Sequence, residues 1–128
     1  MNLFLDDIRM PSHAYAYTKF QPLLTKPWDI VRNYTQFVMY IEKNGLPKLV
    51  SFDHDLDDEQ MYACINGVEY KGKEKTGLDC AKFLIKYCME NNLKLPDFYC
   101  HSMNPAGKEN ILGLLNNYKK NERRNINS

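Results

Sequence analysis

Leu49-Val50-Ser51-Phe52-Asp53-His54-Asp55 is an apolar run that ends in a burst of ionisable groups. Two other stretches have the same form. Leu3-Phe4-Leu5 runs into Asp6-Asp7, and Phe98-Tyr99-Cys100 runs into His101-Ser102. Short continuous apolar runs are how buried strands of a parallel sheet read. In an open α/β sheet, ligands bind beyond the carboxyl ends of the strands. Four Asp, two His and one Ser, far apart in sequence, are therefore expected in one place. A site there, catalytic in the first instance, is the leading expectation.

The segments between these runs supply the helices. A first strand is expected over residues 2–6 and a second over 28–32. Pro11, Pro22 and Pro27 break residues 8–27, leaving room for a short helix over 12–20. Residues 34–44 read as a helix, with Asn33 or Thr35 as its cap and Gly45 just past its end. Strands are expected at 49–52 and 97–100. Thr76-Gly77-Leu78-Asp79 matches a capping box, and Leu78, Ala81, Leu84, Ile85 and Cys88 form a 3.6-period stripe after it. Asn104-Pro105 starts a last helix, with Asn as N-cap and Pro in the first turn. Ile111, Leu114, Leu115 and Tyr118 line its inner face.

Strand, helix, strand, twice over, is the right-handed βαβ pattern. The expected fold is α/β: a small doubly wound, flavodoxin-like, mostly parallel sheet of about four strands in the order 2-1-3-4. Its switch point falls between strands one and three, which carry Asp6-Asp7 and Asp53-His54-Asp55. One domain is expected over residues 1–120. It carries an insertion at 57–75, where Ile65-Asn66-Gly67-Val68 signals a β-hairpin. Residues 121–128 form a polar, basic tail expected to fray.

Composition narrows the function. The chain has 128 residues, 44% hydrophobic, enough for one ordinary core. Lys and Arg number 17 against 16 Asp and Glu, a formal charge of +1. That balance argues against a whole-protein electrostatic grip on nucleic acid or anionic membrane, and there is no DNA-binding motif. No stretch has the length of a membrane span, and no signal-peptide pattern opens the chain, so a cytoplasmic protein is expected. Cys64, Cys80, Cys88 and Cys100 lack CxxC spacing and read as reduced thiols, the last three as small core residues.

Asp6, Asp7, Asp53 and Asp55 cannot lie close together unpaired, because like charges raise one another's pKa or demand a cation. A divalent ion with oxygen ligands, Mg²⁺ or Mn²⁺ ahead of Zn²⁺, resolves the conflict. The plainer reading is that one or two of these Asp cap loops, and for Asp55 the two readings are evenly matched. His54 and His101 are suited to take a proton from water and give one to a leaving oxygen, or else to ligate Zn²⁺ or Mn²⁺. His13 has no evident partner. The helix start at His101-Ser102-Met103-Asn104-Pro105-Ala106-Gly107 aims N–H groups at the mouth of the sheet, where they suit a phosphate, and Gly107 permits close approach. Thr76-Gly77 offers a second such start. Capping alone accounts for both without a ligand. Arg9 is placed either to clamp a phosphate or to pair with Asp6 or Asp7. Tyr15, Tyr17, Phe20 and Tyr62 read mainly as core or rim packing. Lys119, Lys120, Arg123 and Arg124 read as a solvated end.

These motifs together carry a resemblance. Leu-Phe-Leu-Asp-Asp-Ile-Arg-Met-Pro at 3–11, Ser51-Phe52-Asp53-His54-Asp55-Leu56, Thr76-Gly77 with Asp79, and the run from His101 to Gly107 resemble the motifs of the cyclic-phosphate-processing receiver-like family, in the same order. That family is similar in fold to signalling receivers, which have an acidic pair after strand one and an acceptor Asp after strand three. Receivers also carry a Ser/Thr and then a Lys after later strands. Asp6-Asp7, Asp53 and Ser102 fit, but no fifth strand ending in Lys is visible and two His intrude. The resemblance implies a phosphoesterase acting on cyclic phosphates of nucleotides or RNA ends. Asp57 stands where the family has a small residue, and the insertion before Thr76 is long.

Three functions follow as expectations. In the first, a metal-assisted cyclic phosphodiesterase, Asp6, Asp7 and Asp53, with Asp55 as a further candidate, hold the cation. His54 and His101 act as base and acid beside Asp53, and Arg9, Ser102, Asn104, Gly107 and Thr76 bind phosphate. The second is an inactive receiver-like module that binds a cyclic nucleotide or a partner protein. The third is a phosphoacceptor receiver modified on Asp53.

Overall fold

The structure is a computed structural model that describes residues 1–56 and 75–126. The expected hairpin, Asp57, Tyr62 and Cys64 lie outside the described residues. Four strands, β1 (Asn2–Leu5), β2 (Asp29–Val31), β3 (Leu49–Phe52) and β4 (Asp97–Cys100), form one parallel sheet in the order β2-β1-β3-β4. Among the described residues five helices flank it: α1 (Pro11–Thr18), α2 (Pro22–Thr25), α3 (Tyr34–Asn44), α4 (Gly77–Glu90) and α5 (Pro105–Ile126).

Register fixes which side chains share a face. Leu3 lies beside Val50 and Leu5 beside Phe52, which in turn pairs with Cys100. These alternate residues join Phe37 and Ile41 of α3, Cys80, Ala81, Leu84 and Cys88 of α4, and Ile111 and Leu115 of α5 in the main core. Burying each Leu, Ile or Phe of this set contributes about 1.5–3 kcal/mol. Phe4 points the other way, into a smaller core with Ala14 and Leu23 of α1 and α2, flanked by Trp28 and Phe20. The crossover from β1 to β2 thus covers one face, and the crossovers through α3 and α4 cover the other. The strand order switches between β1 and β3, with β2 added on one side and β4 on the other, which opens the crevice expected of such sheets at their carboxyl ends.

Local chemistry accounts for the boundaries. The Asn33 side chain accepts the Gln36 N–H at 2.8 Å and caps α3, which ends at Gly45 with φ of 81°. The Asp79 carboxylate accepts the Thr76 N–H at 2.8 Å at the start of α4. Asn104 caps α5 by accepting the Gly107 N–H at 3.0 Å. The proline-broken stretch holds two short helices rather than one, each with Pro in its first turn. The polar end of the chain departs from expectation: α5 continues to Ile126 instead of fraying from residue 121. Lys119 and Glu122 reach back to the domain, Lys119 to Asp97 at 3.9 Å and Glu122 to the Leu95 N–H at 3.0 Å. No described helix is long and apolar enough to cross a membrane.

Candidate functional site

Asp6 leaves the end of β1 fully buried. The chain turns sharply after it, and its Oδ1 accepts the N–H groups of Ile8 at 3.0 Å and Arg9 at 2.8 Å. Its Oδ2 accepts from His101 Nε2 at 3.0 Å and lies 3.5 Å from Arg9 Nη1. Burial pushes the Asp6 carboxyl up, but the His101 and backbone hydrogen bonds outweigh burial and hold it well below the usual carboxylate range. Arg32, just past β2, donates from Nη1 to the carbonyls of Asp6 at 3.0 Å and Arg9 at 2.6 Å, clamping this loop from behind. Sequence reasoning missed Arg32. The expected second strand, 28–32, took in Arg32, whereas β2 ends at Val31 and leaves Arg32 as a charged group just past a strand end, like those that marked the other three.

His101, at the end of β4, is 1% exposed. Its ring stacks on Phe4 with centroids 4.4 Å apart and planes 9° apart, its Nδ1 is 2.7 Å from Ser51 Oγ, and its carbonyl accepts from the Tyr17 hydroxyl at 2.6 Å. Burial pushes its imidazole below the ordinary value, against the pull of Asp6. Ser51, His101 and Asp6 thus line up in the order of a hydrolytic triad. Ser51 is fully buried, however, so its hydroxyl cannot meet a substrate as a nucleophile.

Asp53 caps β3 and is 3% exposed. Its Oδ1 accepts the His54 N–H at 2.9 Å, and its Oδ2 lies 4.0 Å from Arg9 Nη1. Burial first, and the negative charge of Asp6 second, push its carboxyl up to about 7. Asp6, Asp53 and His101 each offer one ligand atom within 4.8 Å of the others, the one such cluster among the described residues.

The rest of the predicted set falls around this centre. His54 Nδ1 lies 3.0 Å from Asp55 Oδ1, and Asn104 Nδ2 donates to Asp55 at 3.4 Å. Gly107 seats the His54 ring: a Cβ there would collide with it. Gly77 does the same for the backbone of Asp53, and its N–H donates to the His54 carbonyl at 2.8 Å. Ser102, nearly buried, accepts the Asn104 N–H at 3.1 Å. The Thr76 hydroxyl donates to Asp79 at 3.3 Å, a capping contact. With Asn104 N–H on Ser102 and Gly107 N–H on Asn104, two donors at the α5 start serve the fold itself.

A cleft of about 470 Å³ opens beside these groups, lined by Asp7, Arg9, Asp53, Asp55 and Asn104, with Ile8, Met103 and Pro105 at its apolar edge. The structure therefore gathers five of the predicted site residues on one cleft. Asp6 and His101 adjoin it from the interior. Neither His54 nor His101 is among the described residues that line it. Among the described residues no fifth strand follows β4, where a receiver would place its Lys.

No curated protein and no solved structure matches the chain significantly. A family model described as the cyclic-phosphate processing receiver domain matches residues 1–117, which includes all four strands and every site residue above. The chain belongs to the family of cyclic-phosphate processing receiver domains.

Proposed function

We propose that this domain hydrolyses a cyclic phosphate of a nucleotide or an RNA end, with a divalent cation, Mg²⁺ or Mn²⁺ ahead of Zn²⁺, held by Asp6 and Asp53. The observation that carries the reading is the buried pairing of two carboxylates with His101 beside the acidic cleft. The residues fit such an ion. Two carboxylates form a hard oxygen donor set, and the Asp53 carboxyl, forced up to about 7 by burial and by Asp6, is a group that a cation relieves. Asp7 and Asp55 on the cleft wall are the further candidates for water-mediated contact. A bound cation supplies neutralisation of charge on the phosphate oxygens.

The chain's own groups do the rest. Arg9, poised at the cleft with Asp6 and Asp53 behind it, meets a phosphate oxygen through its guanidinium fork. Asp55 accepts from His54 Nδ1, which favours the tautomer whose Nε2 carries the lone pair of a base toward the attacking water. His101 has both ring nitrogens engaged and serves to hold Asp6 rather than to meet the substrate. The direct test is a panel of 2′,3′- and 3′,5′-cyclic nucleotides with Mg²⁺, Mn²⁺ and Zn²⁺. Turnover of any member supports the proposal, and no turnover by folded protein overturns it.

A second reading is favoured by one observation: neither imidazole lines the cleft. In that reading the domain binds a cyclic nucleotide without turning it over. Ligand-induced thermal stabilisation with no product identifies it.

A further inference from the structure

The main hydrogen-bonding puzzle of the fold is a serine in the middle of the sheet. Ser51 is fully buried in β3, between Phe4 of β1 and Tyr99 of β4 in register. A buried hydroxyl costs free energy unless it is hydrogen-bonded. Its partner is His101 Nδ1 at 2.7 Å. The direction of that bond follows from the other side of the ring. Asp6 Oδ2 is an acceptor, so His101 Nε2 at 3.0 Å must carry the proton. In a neutral imidazole Nδ1 then holds a lone pair, and the Ser51 O–H donates to it.

We propose that Ser51 is a positioning residue, which through the Nε2–H tautomer of His101 fixes the Asp6 carboxylate at the cation site. The inference rests on the cation reading above. Neighbouring groups hold the rest of the relay. Phe4 stacks on the His101 ring, Tyr17 holds its carbonyl, and the Ile8 and Arg9 N–H groups fix the other Asp6 oxygen. Among the described residues Ser51 is the hydrogen-bond partner of Nδ1, Asp6 Oδ2 is held by the other nitrogen of the same ring, and Asp6 offers a ligand atom within 4.8 Å of one on Asp53. Metal sites hold their ligands through such outer contacts, whose loss typically costs roughly 10–100-fold in affinity.

The test compares wild type, Ser51→Ala and Ser51→Thr by Mn²⁺ binding, read from the electron-spin signal of free Mn²⁺, and by the ¹⁵N signals of His101. Wild type should show a protonated Nε2 and a hydrogen-bonded, unprotonated Nδ1. In Ser51→Ala the Nδ1 signal should move to that of a free lone pair, and Mn²⁺ should bind roughly tenfold more weakly. Ser51→Thr, which keeps the hydroxyl, should restore both. Unchanged Mn²⁺ affinity in a cooperatively folded Ser51→Ala overturns the proposal. So does a wild-type His101 protonated on Nδ1 and not on Nε2, a measurement that stands even where Ser51→Ala does not fold. Wild type that shows the expected tautomer but binds no Mn²⁺ overturns the cation reading instead.

Discussion

Asp53→Asn should make the metal-free protein more stable at alkaline pH while abolishing its response to divalent cations. In the fold this carboxyl is 3% exposed, and its pKa moves from the ordinary 3.8 to about 7. A folded-state value above the unfolded one means that stability is fully present below about pH 4 and is lost as pH rises through about 7. At about 1.4 kcal/mol per unit, the loss by pH 8 is about 4 kcal/mol. Asn preserves the acceptor for the His54 N–H and carries no charge, so the variant escapes that loss. The neighbours do not blur the comparison. Asp6, with its lowered pKa, contributes stability that is complete above about pH 4. His101, also lowered, contributes stability that is complete above about pH 6.5 and is lost as pH falls through its folded value, with the opposite sign to Asp53. Both groups are present in both proteins. Urea denaturation in chelator from roughly pH 5 to 8 should show a difference that grows with pH toward about 4 kcal/mol in favour of Asn. Adding Mn²⁺ at the alkaline end should restore wild type by about 2.7 kcal/mol at a hundredfold excess over Kd, and leave Asp53→Asn unmoved. Parallel stability profiles for the two proteins would refute the claim that Asp53 is forced against Asp6 in the fold.

Gly107→Ala sits inside a helix, where Ala is ordinarily favoured by about 1 kcal/mol. Here its Cβ meets the His54 ring, so a loss of about 1–3 kcal/mol is expected, and a raised Tm would show that His54 is seated elsewhere. Gly77→Ala drives its Cβ into the Asp53 backbone, which cannot swing away as a side chain can. It should cost more than Gly107→Ala in the same denaturation series. Arg9→Gln should leave the fold intact and weaken cyclic-nucleotide binding by roughly 10–100-fold, the value of a charged hydrogen bond, as read by calorimetric titration. Unchanged affinity would remove Arg9 from the phosphate contact.

The strand ends were legible because apolar runs and their abrupt polar stops are local features. So were the α3 and α5 caps and the switch point, which βαβ handedness fixes once the strands are placed. Residues 97–100 and 49–52 bound β4 and β3 as the pattern requires. Arg32 was missed because a strand of three residues gives a faint apolar signal. The length of α5 was missed because Lys119 and Glu122 are anchored by contacts with Asp97 and Leu95, more than twenty positions away along the chain.

The sequence by itself determined that carboxylates and imidazoles collect at one edge of a parallel sheet, since strand direction alone puts them there. Tertiary structure decided what each of them is free to do. Asp6 and Asp53 offer ligand atoms within 4.8 Å of each other, and burial with the Asp6 charge pushes the Asp53 carboxyl up, while Asp55 turns outward to His54 and Asn104. His101 looked like the partner of His54 in proton transfer, yet both its nitrogens are spent in the interior, on Asp6 and on a serine that the sequence offers only as part of an apolar run. The physical reason is burial: identity and spacing place a titratable group at a strand end, but only packing decides whether water or another side chain reaches it.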